Sequence, residues 1–378
     1  MDEGSKPGAV VVGTSIGVLL HVPGLRDGGF RVAGLVGRDP DKARHRAELL
    51  GVPHAFTTLE EALVLPDIDL VVVATPPTAH AAFVHEALAA GKHVMCEKPF
   101  GTDVAEARGM YEAAEAAGVV HLLGTEFGFD SAQALLRRVV LAGEIGTPRF
   151  VMLVLHMGAL TDLSAEVPAW FDDAAQGGGW LRGAVPHPVD LVRSTLGEFE
   201  SVAGSVQRLG PRAGVSSDDT VSMTFRLESG VEGVLQSSTG AMGPPLGVTK
   251  IVGSEGAAWI DPATRTVWID QGSGWREVPF PADLVSPPPV PPAAELINST
   301  YDNWHSTGNE ATTSGRMYSA VREALLGEER TSPELLATFA DGLAIQAILT
   351  AMERASAEHR TVSLSEFGLP GVAPGSPR

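Results

Sequence analysis

Short apolar runs alternate with longer amphipathic stretches through the first third of the chain. The runs are rich in β-branched residues and too short for helices, which is typical of buried strands. They predict strands at 9–12, 31–36, 54–56, 69–74, 93–96 and 119–123, and the stretches between them predict helices at 18–27, 40–50, 59–65, 78–90 and 104–117. Strands alternating with helices form a doubly wound parallel sheet, so we predict an α/β domain over residues 1–128.

Beyond about residue 130 the apolar runs follow one another with few helices between them. They predict strands at 149–155, 202–208, 220–227, 231–237, 248–253, 257–261 and 266–269, and helices at 314–326 and 333–355. This order indicates an open, mostly antiparallel sheet in a C-terminal α+β domain over 129–367. The proline-rich segment 287–292 must be extended, as a surface connector or as a lid or partner-binding arm. Residues 368–378 are expected to form a flexible tail.

Composition and charge narrow the class of protein. The 378 residues carry 27 basic and 46 acidic side chains, a formal net charge of −19, which disfavours nucleic acid and anionic membranes as partners. Cys96 is the only cysteine, so an intramolecular disulfide is excluded. No His or acidic pair has the spacing of metal ligands. The acidic start is unlike a secretory leader and no stretch suits a membrane span, so we expect a cytoplasmic protein.

The turn after the first predicted strand is the first candidate site. It consists of Gly13, Thr14, Ser15, Ile16 and Gly17. A dinucleotide fold holds its pyrophosphate against helix amides at such a turn. The spacing departs from Gly-x-Gly-x-x-Gly, because Ser15 replaces the second glycine and Gly17 comes one residue early. Its place in the first βαβ unit favours a cofactor turn over an ordinary strand-to-helix turn.

The second predicted strand ends at Gly37-Arg38-Asp39, where the adenosine ribose of a dinucleotide would lie. A carboxylate there binds the 2′-hydroxyl of NAD, whereas an arginine beside a small residue receives the 2′-phosphate of NADP. Gly37 and Arg38 therefore favour NADP(H), and Lys42 and Arg44 add positive charge. Asp39 keeps NAD(H) as the alternative.

Two further loops follow predicted strands at the edge where an α/β sheet binds its ligand. The loop after strand four contains Thr75, Pro76, Pro77 and His80. Its prolines stiffen it, which suits a wall beside a nicotinamide. Strand five delivers Glu97 and Lys98 to the same edge, and we expect both loops to contact the cofactor. Alternation places Cys96 and Lys98 on one face and Glu97 on the other, so Glu97 is expected to fix the loop rather than share chemistry with Lys98.

Three motifs together resemble the glucose–fructose oxidoreductase / inositol dehydrogenase / rhizopine catabolism (Gfo/Idh/MocA) family, in order and over nearly the whole chain. They are Thr-Pro-Pro-x-x-His, Glu-Lys-Pro, and the segment from Gly177-Gly178-Gly179 to Asp190. The resemblance implies a Rossmann domain, a C-terminal domain whose open sheet supports homodimers or homotetramers, and NAD(P)-dependent hydride transfer at a carbinol or carbonyl carbon. It also implies that Lys98 and His187 are catalytic, since ammonium and imidazole groups can exchange a hydroxyl proton near neutral pH.

The chain departs from the family pattern just before His187. Gly183 and Val185 stand where many members have an aspartate and a glycine. A pocket without that carboxylate recognises fewer hydroxyls, which puts a polyol substrate in doubt. Asp190 lies on the same helical face as His187 and either orients the imidazole or pairs with Arg193.

Three further residues are candidates for binding the cofactor or the substrate. Glu126 follows strand six and either holds the nicotinamide amide or the catalytic lysine, or is a solvated loop charge. His156 ends a strand facing the presumed cleft. Trp180 lies close in sequence to Trp170 and Phe171, which suggests a less polar or ring-bearing substrate, with core packing as the competing explanation.

The predicted function is an NADP-preferring oxidoreductase that moves a hydride between the nicotinamide and a secondary alcohol or ketone of a sugar, cyclitol or related small ring. Two alternatives stay open. One is a reductase of C=C or C=N bonds on the same scaffold, and the other is a non-catalytic cofactor-binding sensor or co-regulator, which Ser15 and Gly183 suggest. The presence of both Lys98 and His187 favours an enzyme. The expected partners are a small-molecule substrate and copies of the chain itself.

Overall fold

The chain folds into two units, each built around its own β-sheet. The structure, a computed structural model, describes residues 6–369, so the acidic first residues and the expected tail beyond Leu369 lie outside it. The first unit contains the chain up to Phe129 together with Ser286–Gly342, and the second contains Asp130–Val285 and the chain from Leu343. We call Ser286–Gly342 the returning segment. This division differs from two consecutive domains that meet near residue 128, because the returning segment joins the first unit.

The elements follow the predicted order closely in the first unit and less closely in the second. The strands are β1 Gly8–Val12, β2 Arg31–Val36, β3 His54–Phe56, β4 Leu70–Val73, β5 His93–Glu97, β6 His121–Gly124, β7 Pro148–His156, β8 Phe199–Gln207, β9 Thr220–Leu227, β10 Glu232–Ser238, β11 Leu246–Gly253, β12 Ala257–Ile260, β13 Val267–Asp270, β14 Trp275–Val278 and β15 Val362–Ser363. The helices are α1 Val22–Asp27, α2 Pro40–Leu50, α3 Leu59–Leu63, α4 His80–Ala89, α5 Val104–Ala117, α6 Ser131–Leu141, α7 Trp180–Ala184, α8 Pro186–Leu196, α9 Thr300–Trp304, α10 Asn309–Leu326 and α11 Phe339–Glu358. A π-helical turn, Gly17–His21, precedes α1.

The sheet of the first unit has the strand order β3-β2-β1-β4-β5-β6. Each neighbouring pair is parallel. The order reverses between β1 and β4, so the sheet is doubly wound, which confirms the predicted Rossmann fold. Ligands of such sheets bind beyond the carboxyl ends of the strands at this reversal.

The returning segment packs its longest helix, α10, against α1. A Cβ atom built on Gly28 would lie 2.4 Å from the Cβ atom of Tyr318, and one on Gly24 would lie 2.7 Å from the Cβ atom of Ser314. Side chains at these two positions would therefore push the helices apart, whereas glycine permits the close approach. Tyr318 is fully buried at this contact.

The sheet of the second unit has the strand order β14-β13-β12-β11-β7-β10-β9-β8-β15. Only β7 and β10 run parallel among its neighbouring strands, which confirms the predicted mostly antiparallel sheet. The helix predicted from residue 333 begins instead at Phe339, because Thr338 and Asp341 bond each other's backbone amides and cap it there. No helix within residues 6–369 is both long and apolar enough to cross a membrane.

Candidate functional site

The turn after β1 is a close-packed cradle of backbone. Gly13 has a φ of +134°, which side chains of L-residues rarely allow, and a Cβ atom on it would lie 2.1 Å from the carbonyl oxygen of Ala74. A Cβ atom on Gly37 would lie 2.5 Å from Cγ2 of Thr14, and one on Gly17 would lie 3.0 Å from a valine of β1. Glycine lets these loops meet and keeps the turn free of bulk at the reversal of strand order. The residues present therefore fit a bound dinucleotide.

Ser15, the departure from the glycine pattern, has a partner in the returning segment. Its hydroxyl donates a hydrogen bond to Oδ1 of Asp302 over 2.8 Å, and Oδ2 of Asp302 accepts one from the backbone N–H of Asn298. The guanidinium of Arg46, which is buried, donates to the carbonyl of Thr14 on the same turn. Asp302 and Arg46 therefore support this turn through hydrogen bonds, and the sequence patterns did not reveal either of them.

The end of β2 exposes Arg38 and uses Asp39 for local structure. Oδ1 of Asp39 accepts hydrogen bonds from the backbone N–H groups of Asp41 and Lys42, both over 3.0 Å, so Asp39 is the N-cap of α2. Arg44 forms an ion pair with Asp41. The capping role accounts for an acidic residue here whichever cofactor binds, and it leaves Arg38 exposed at the end of the strand.

His80 links the loops that follow β4 and β5. It is fully buried, with Nε2 at 2.9 Å from the carbonyl oxygen of Thr75 and Nδ1 at 3.2 Å from that of Phe100. Burial lowers the pKa of His80 despite these contacts. Both ring nitrogens face the protein's own backbone. His80 therefore supports the Thr75, Pro76 and Pro77 loop from behind.

Glu97 and Lys98 stand where β5 ends. Oε1 of Glu97 lies 3.1 Å from Nε2 of His21, and Oε2 accepts a hydrogen bond from the backbone N–H of Lys98 over 3.2 Å. Burial alone would raise the pKa of Glu97, but its contact with His21 and the charge of Lys98 hold that pKa below its ordinary value. Glu97 fixes the loop, as the alternation along β5 predicts, and its charge also acts on Lys98.

Glu126 is a second buried carboxyl group at the same edge of the sheet. It follows β6 and is 3% exposed, which excludes the solvated loop charge. Burial raises the pKa of Glu126 well above its ordinary value; the charges of Glu97 and Glu310 add to the rise, and that of Lys98 opposes it. Two carboxyl groups whose environments move their pKa values apart are typical of sites for proton transfer.

The returning segment adds polar side chains that the sequence patterns missed. Nδ1 of His305 is in close contact with a carboxylate oxygen of Glu310, and the ring of Tyr301 lies 5.4 Å from that of His305. Burial raises the pKa of Tyr301, and the charges of Glu97 and Glu310 contribute. The charge of Glu97 thus reaches Tyr301, although no local pattern in the sequence marks these three side chains as functional.

In the second unit, His187 and Asp190 lie on α8, where the sequence predicts them. His187 is buried and Asp190 is half-buried. Arg193 forms a bidentate ion pair with Glu198, with N–O distances of 2.6 and 2.8 Å, so it has a partner other than Asp190. Lys98 belongs to the first unit and His187 to the second.

Gly183, which stands where the family pattern has an aspartate, is packed against an aromatic ring. A Cβ atom on Gly183 would lie 2.9 Å from Cε2 of Phe171, and Phe171 is almost fully buried. The ring therefore occupies the space that a side chain at position 183 would need. The chain therefore offers no carboxylate at this point.

Two predicted substrate residues have structural roles in the second unit. The indole N–H of Trp180 donates to Oγ of Ser237 over 2.7 Å, and Trp180 is 3% exposed, so it belongs to the core. The ring nitrogens of His156 lie 2.9 and 3.1 Å from the carbonyl oxygens of Ala241 and Pro244. Both side chains therefore serve the protein's own structure. Within residues 6–369, no group of three or more His, Cys, Asp or Glu side chains could hold a metal ion.

Comparison with known families matches both parts of the chain. A family model described as an oxidoreductase family with an NAD-binding Rossmann fold (GFO_IDH_MocA) matches residues 8–125. A second, described as the GFO/IDH/MocA C-terminal domain, matches residues 134–259.

Curated relatives are dehydrogenases of moderate similarity. Levoglucosan dehydrogenase of Pseudarthrobacter phenanthrenivorans is 28% identical over 245 residues, which are 58% of this chain and 62% of that protein. Trans-1,2-dihydrobenzene-1,2-diol dehydrogenase of Mus musculus is 30% identical over 234 residues, 61% of this chain and 66% of that one. The chain thus spans less than two thirds of the length of these relatives.

Solved structures share the fold over almost the whole chain. The complex of levoglucosan dehydrogenase with NADH has a TM-score of 0.80 at 22% identity, over 97% of this chain and 100% of that one. An oxidoreductase domain protein from Kribbella flavida has a TM-score of 0.79 at 26% identity, over 95% and 99%. The likeness extends to both sheets.

Proposed function

The chain belongs to the Gfo/Idh/MocA family of oxidoreductases, and from that premise we propose that it moves a hydride between a nicotinamide cofactor and the CH–OH or C=O carbon of a sugar, cyclitol or related small ring. The observation that carries the proposal is the position of Lys98. It follows β5 at the carboxyl edge of the sheet whose first turn is the glycine cradle. Cofactor and amine are therefore expected on one edge.

Lys98 and His187 are the proposed acid–base residues. A bound nicotinamide would supply or accept the hydride, held by the 13–17 turn, by Arg38 and by the loop after β4. In the direction of reduction, the Lys98 ammonium binds the carbonyl oxygen, stabilises the charge that develops on it and delivers a proton. His187, with Asp190 to orient its ring, is the second proposed acid–base residue and exchanges protons with solvent. In oxidation the same proton leaves the hydroxyl by the reverse route.

NADP(H) is the proposed cofactor, with NAD(H) as the alternative. Arg38 is exposed at the end of β2, where the ribose would lie, whereas the carboxylate of Asp39 is used to cap α2. Solved relatives include complexes with NADH and NAD, which gives the alternative weight. We expect NADPH to raise the melting temperature at lower concentration than NADH, and Arg38→Ala to weaken NADPH binding about tenfold while sparing NADH. The reverse order would overturn the preference for NADP and leave the hydride transfer standing.

A substrate with fewer hydroxyl groups than a polyol is favoured, because Gly183 is packed against Phe171 and offers no carboxylate to bind them. Anhydrosugars and cyclic ketones fit this better than polyols. The relative from Pseudarthrobacter is named for levoglucosan, and another, from Ensifer adhaerens, for 1,5-anhydro-D-fructose.

A homo-oligomer formed through the second sheet is also proposed. Met152, Leu246 and Trp275 are 38%, 44% and 71% exposed on its strands. Burial of such apolar side chains against a second copy would stabilise a dimer or tetramer. Light scattering of the full chain tests this, and a monomer at micromolar concentration would contradict it. A cytoplasmic location, where the lone Cys96 would stay reduced, completes the proposal.

A substrate screen followed by one pair of variants tests the activity. Alcohols and ketones of anhydrosugars, inositols and simple sugars are followed at the NADPH and NADH absorbance band. We expect Lys98→Met to lower kcat at least 1000-fold, an order typical of a lost acid–base group. Lys92→Met is the matched control, since Lys92 precedes the same strand at its other end and bonds the carbonyl of Ile68. Cofactor binding without turnover of any compound would favour the sensor, and turnover only of C=C or C=N compounds would favour the other reductase.

A further inference from the structure

Behind Lys98 lies a chain of three buried polar side chains. The Tyr318 hydroxyl lies 2.7 Å from Nδ1 of His21, and Nε2 of His21 lies 3.1 Å from Oε1 of Glu97. The other carboxylate oxygen, Oε2, accepts the backbone N–H of Lys98. Tyr318 and His21 are fully buried and Glu97 is 3% exposed. We call Tyr318, His21 and Glu97 the relay.

The surrounding backbone is shaped to hold these side chains. A Cβ atom on Gly124, the residue that pairs with Glu97 across β5 and β6, would lie 2.5 Å from Oε1 of Glu97. Glycine there makes room for the carboxylate. Gly28 does the same for Tyr318, and the π-helical turn ends at His21. The backbone therefore leaves room for side chains from three separate parts of the first unit to meet.

The contacts of His21 in the relay use both ring nitrogens. The Tyr318 hydroxyl is assigned as the donor to Nδ1, which leaves Nε2 as the ring nitrogen 3.1 Å from Oε1 of Glu97. Burial raises the pKa of Tyr318 far above its ordinary value, helped by Glu97 and Glu126, so the hydroxyl stays protonated. The negative charge of the relay then lies on Glu97, whose carboxylate accepts the backbone N–H of Lys98.

The groups that face Glu97 come from every element packed around it. They are His21, His80, Cys96, Lys98, Glu126, Tyr301 and Tyr318. Lys98 is the one lysine among them, and its charge lowers the pKa of Glu97. Glu97 is therefore the counter-charge of Lys98 on the side of the protein interior.

We propose that the relay positions the Lys98 amine and keeps it charged, with Glu97 acting on Lys98 directly and His21 and Tyr318 acting through Glu97. The proposal rests on the role of Lys98 in the proposed function. All three are positioning residues, since none of them has been placed against a substrate. No motif in the sequence links Tyr318 to this site.

Direct titration of Lys98 in the protein without substrate tests the proposal. Reductive methylation with ¹³C-formaldehyde labels the lysine amines, which are those of Lys6, Lys42, Lys92, Lys98 and Lys250. The Lys98→Met variant identifies the Lys98 signal. Loss of the counter-charge in Glu97→Gln is expected to lower the pH midpoint of that signal by about one unit or more. Tyr318→Phe is expected to lower this midpoint less, because the variant keeps the Glu97 carboxylate and loses only the contact of Tyr318 with His21.

Matched controls come from a similar group of residues at the other edge of the same sheet. The far-edge cluster consists of Tyr111, His121 and Glu115, in which Nε2 of His121 lies 3.1 Å from Oε1 of Glu115. Tyr111→Phe and Glu115→Gln repeat the two substitutions in the same unit. They are expected to leave the Lys98 midpoint unchanged.

A double variant separates positioning from general structural damage. If Tyr318 acts through Glu97, Tyr318→Phe shifts the midpoint in the wild-type chain and has no further effect in Glu97→Gln. In turnover of a compound from the screen, Tyr318→Phe is expected to lower kcat about tenfold with little change in KM. Tyr318→Phe removes one oxygen atom and keeps the packed ring, so it carries the test even where Glu97→Gln unfolds the protein.

Two results overturn the proposal. One is an unchanged Lys98 midpoint in both Tyr318→Phe and Glu97→Gln, and the other is an equal effect of Tyr318→Phe with and without Glu97. Full turnover by Lys98→Met would instead contradict the proposed function, and the substrate-free titration is read independently of it.

Discussion

The two edges of the first sheet hold the same three residue types in different surroundings. The relay contains Tyr318, His21 and Glu97, and the far-edge cluster contains Tyr111, His121 and Glu115. The histidine and glutamate lie 3.1 Å apart in both. Their side chains are 0% and 4% exposed in the relay, but 12% and 29% exposed in the far-edge cluster. The chemistry is alike and the access of water differs.

Burial decides what each pair does. In the far-edge cluster burial lowers the pKa of His121 although Glu115 opposes this, and water can solvate the Glu115 carboxylate. In the relay the side chain of Glu97 is almost fully buried, so its carboxylate depends on His21 and Lys98 for its stabilisation. A pair open to water contributes little to stability, whereas a buried charge that loses its partners is costly. The same three residue types can therefore form a solvated group that contributes little to stability, or a buried group that acts on the charge of a neighbouring side chain.

The largest expected effect comes from removing the buried charge. Glu97→Gln is expected to lower the free energy of unfolding of the first unit by about 3 kcal/mol, because the buried His21 and the backbone N–H of Lys98 lose a charged partner. Since the pKa of Glu97 is below its ordinary 4.5, its contribution is present above that pH and is lost as the pH falls below it. Urea unfolding of the wild-type protein and the variant at pH 7 measures the loss of stability, and the same comparison at pH 3 measures how much of it depends on the charge of Glu97.

Glu115→Gln is the control for that substitution. We expect it to change the free energy of unfolding by less than about 0.5 kcal/mol at pH 7. Equal costs for the two variants would show that burial does not separate the two clusters.

The second effect has the opposite sign and concerns Glu126. Because burial raises its pKa, the folded protein binds a proton that the unfolded chain releases above pH 4.5, and stability falls as the pH rises from there. Glu126→Gln removes this loss, so at pH 8 its melting temperature is expected to lie about 5 °C above that of the wild-type protein, and at pH 4 the two should agree. Glu48→Gln, on the exposed face of α2, should show no such trend. A flat wild-type profile between pH 5 and 8 would contradict the assignment.

The fold could be predicted where burial and caps leave marks in local sequence. The bounds of α5 match the predicted 104–117 because Asp103 caps its start and Gly118 takes the left-handed conformation at its end. The short helix α7 was missed because three glycines precede it and two prolines, Pro186 and Pro188, follow it, whereas His187 and Asp190 on α8 were expected on one helical face. The exposed edge strand β14 has no apolar alternation to mark it.

Only those residues of the site that come directly after a strand could be predicted from the sequence. Lys98, Glu97 and the glycine turn come directly after strands, so position in a βαβ unit identifies them. Tyr318 lies 297 residues from His21 in the sequence. The residues around His21 are apolar, so the pattern predicts only a buried segment there. The meeting of Tyr318 and His21 depends on the return of α10 to the first unit, which no local pattern encodes.

The smallest effect separates the two tyrosines by a single hydroxyl group. Tyr318→Phe leaves Nδ1 of His21 buried without its donor, so we expect a loss of about 1–2 kcal/mol in the free energy of unfolding. Tyr111 is 8% exposed and its ring stands edge-on to His121 at 6.3 Å, so Tyr111→Phe should cost less than about 0.5 kcal/mol. The ring packing is kept in both variants, and the difference between them measures the hydroxyl alone. Equal losses would mean that the Tyr318 hydroxyl contributes nothing beyond its ring, and the relay would then end at His21.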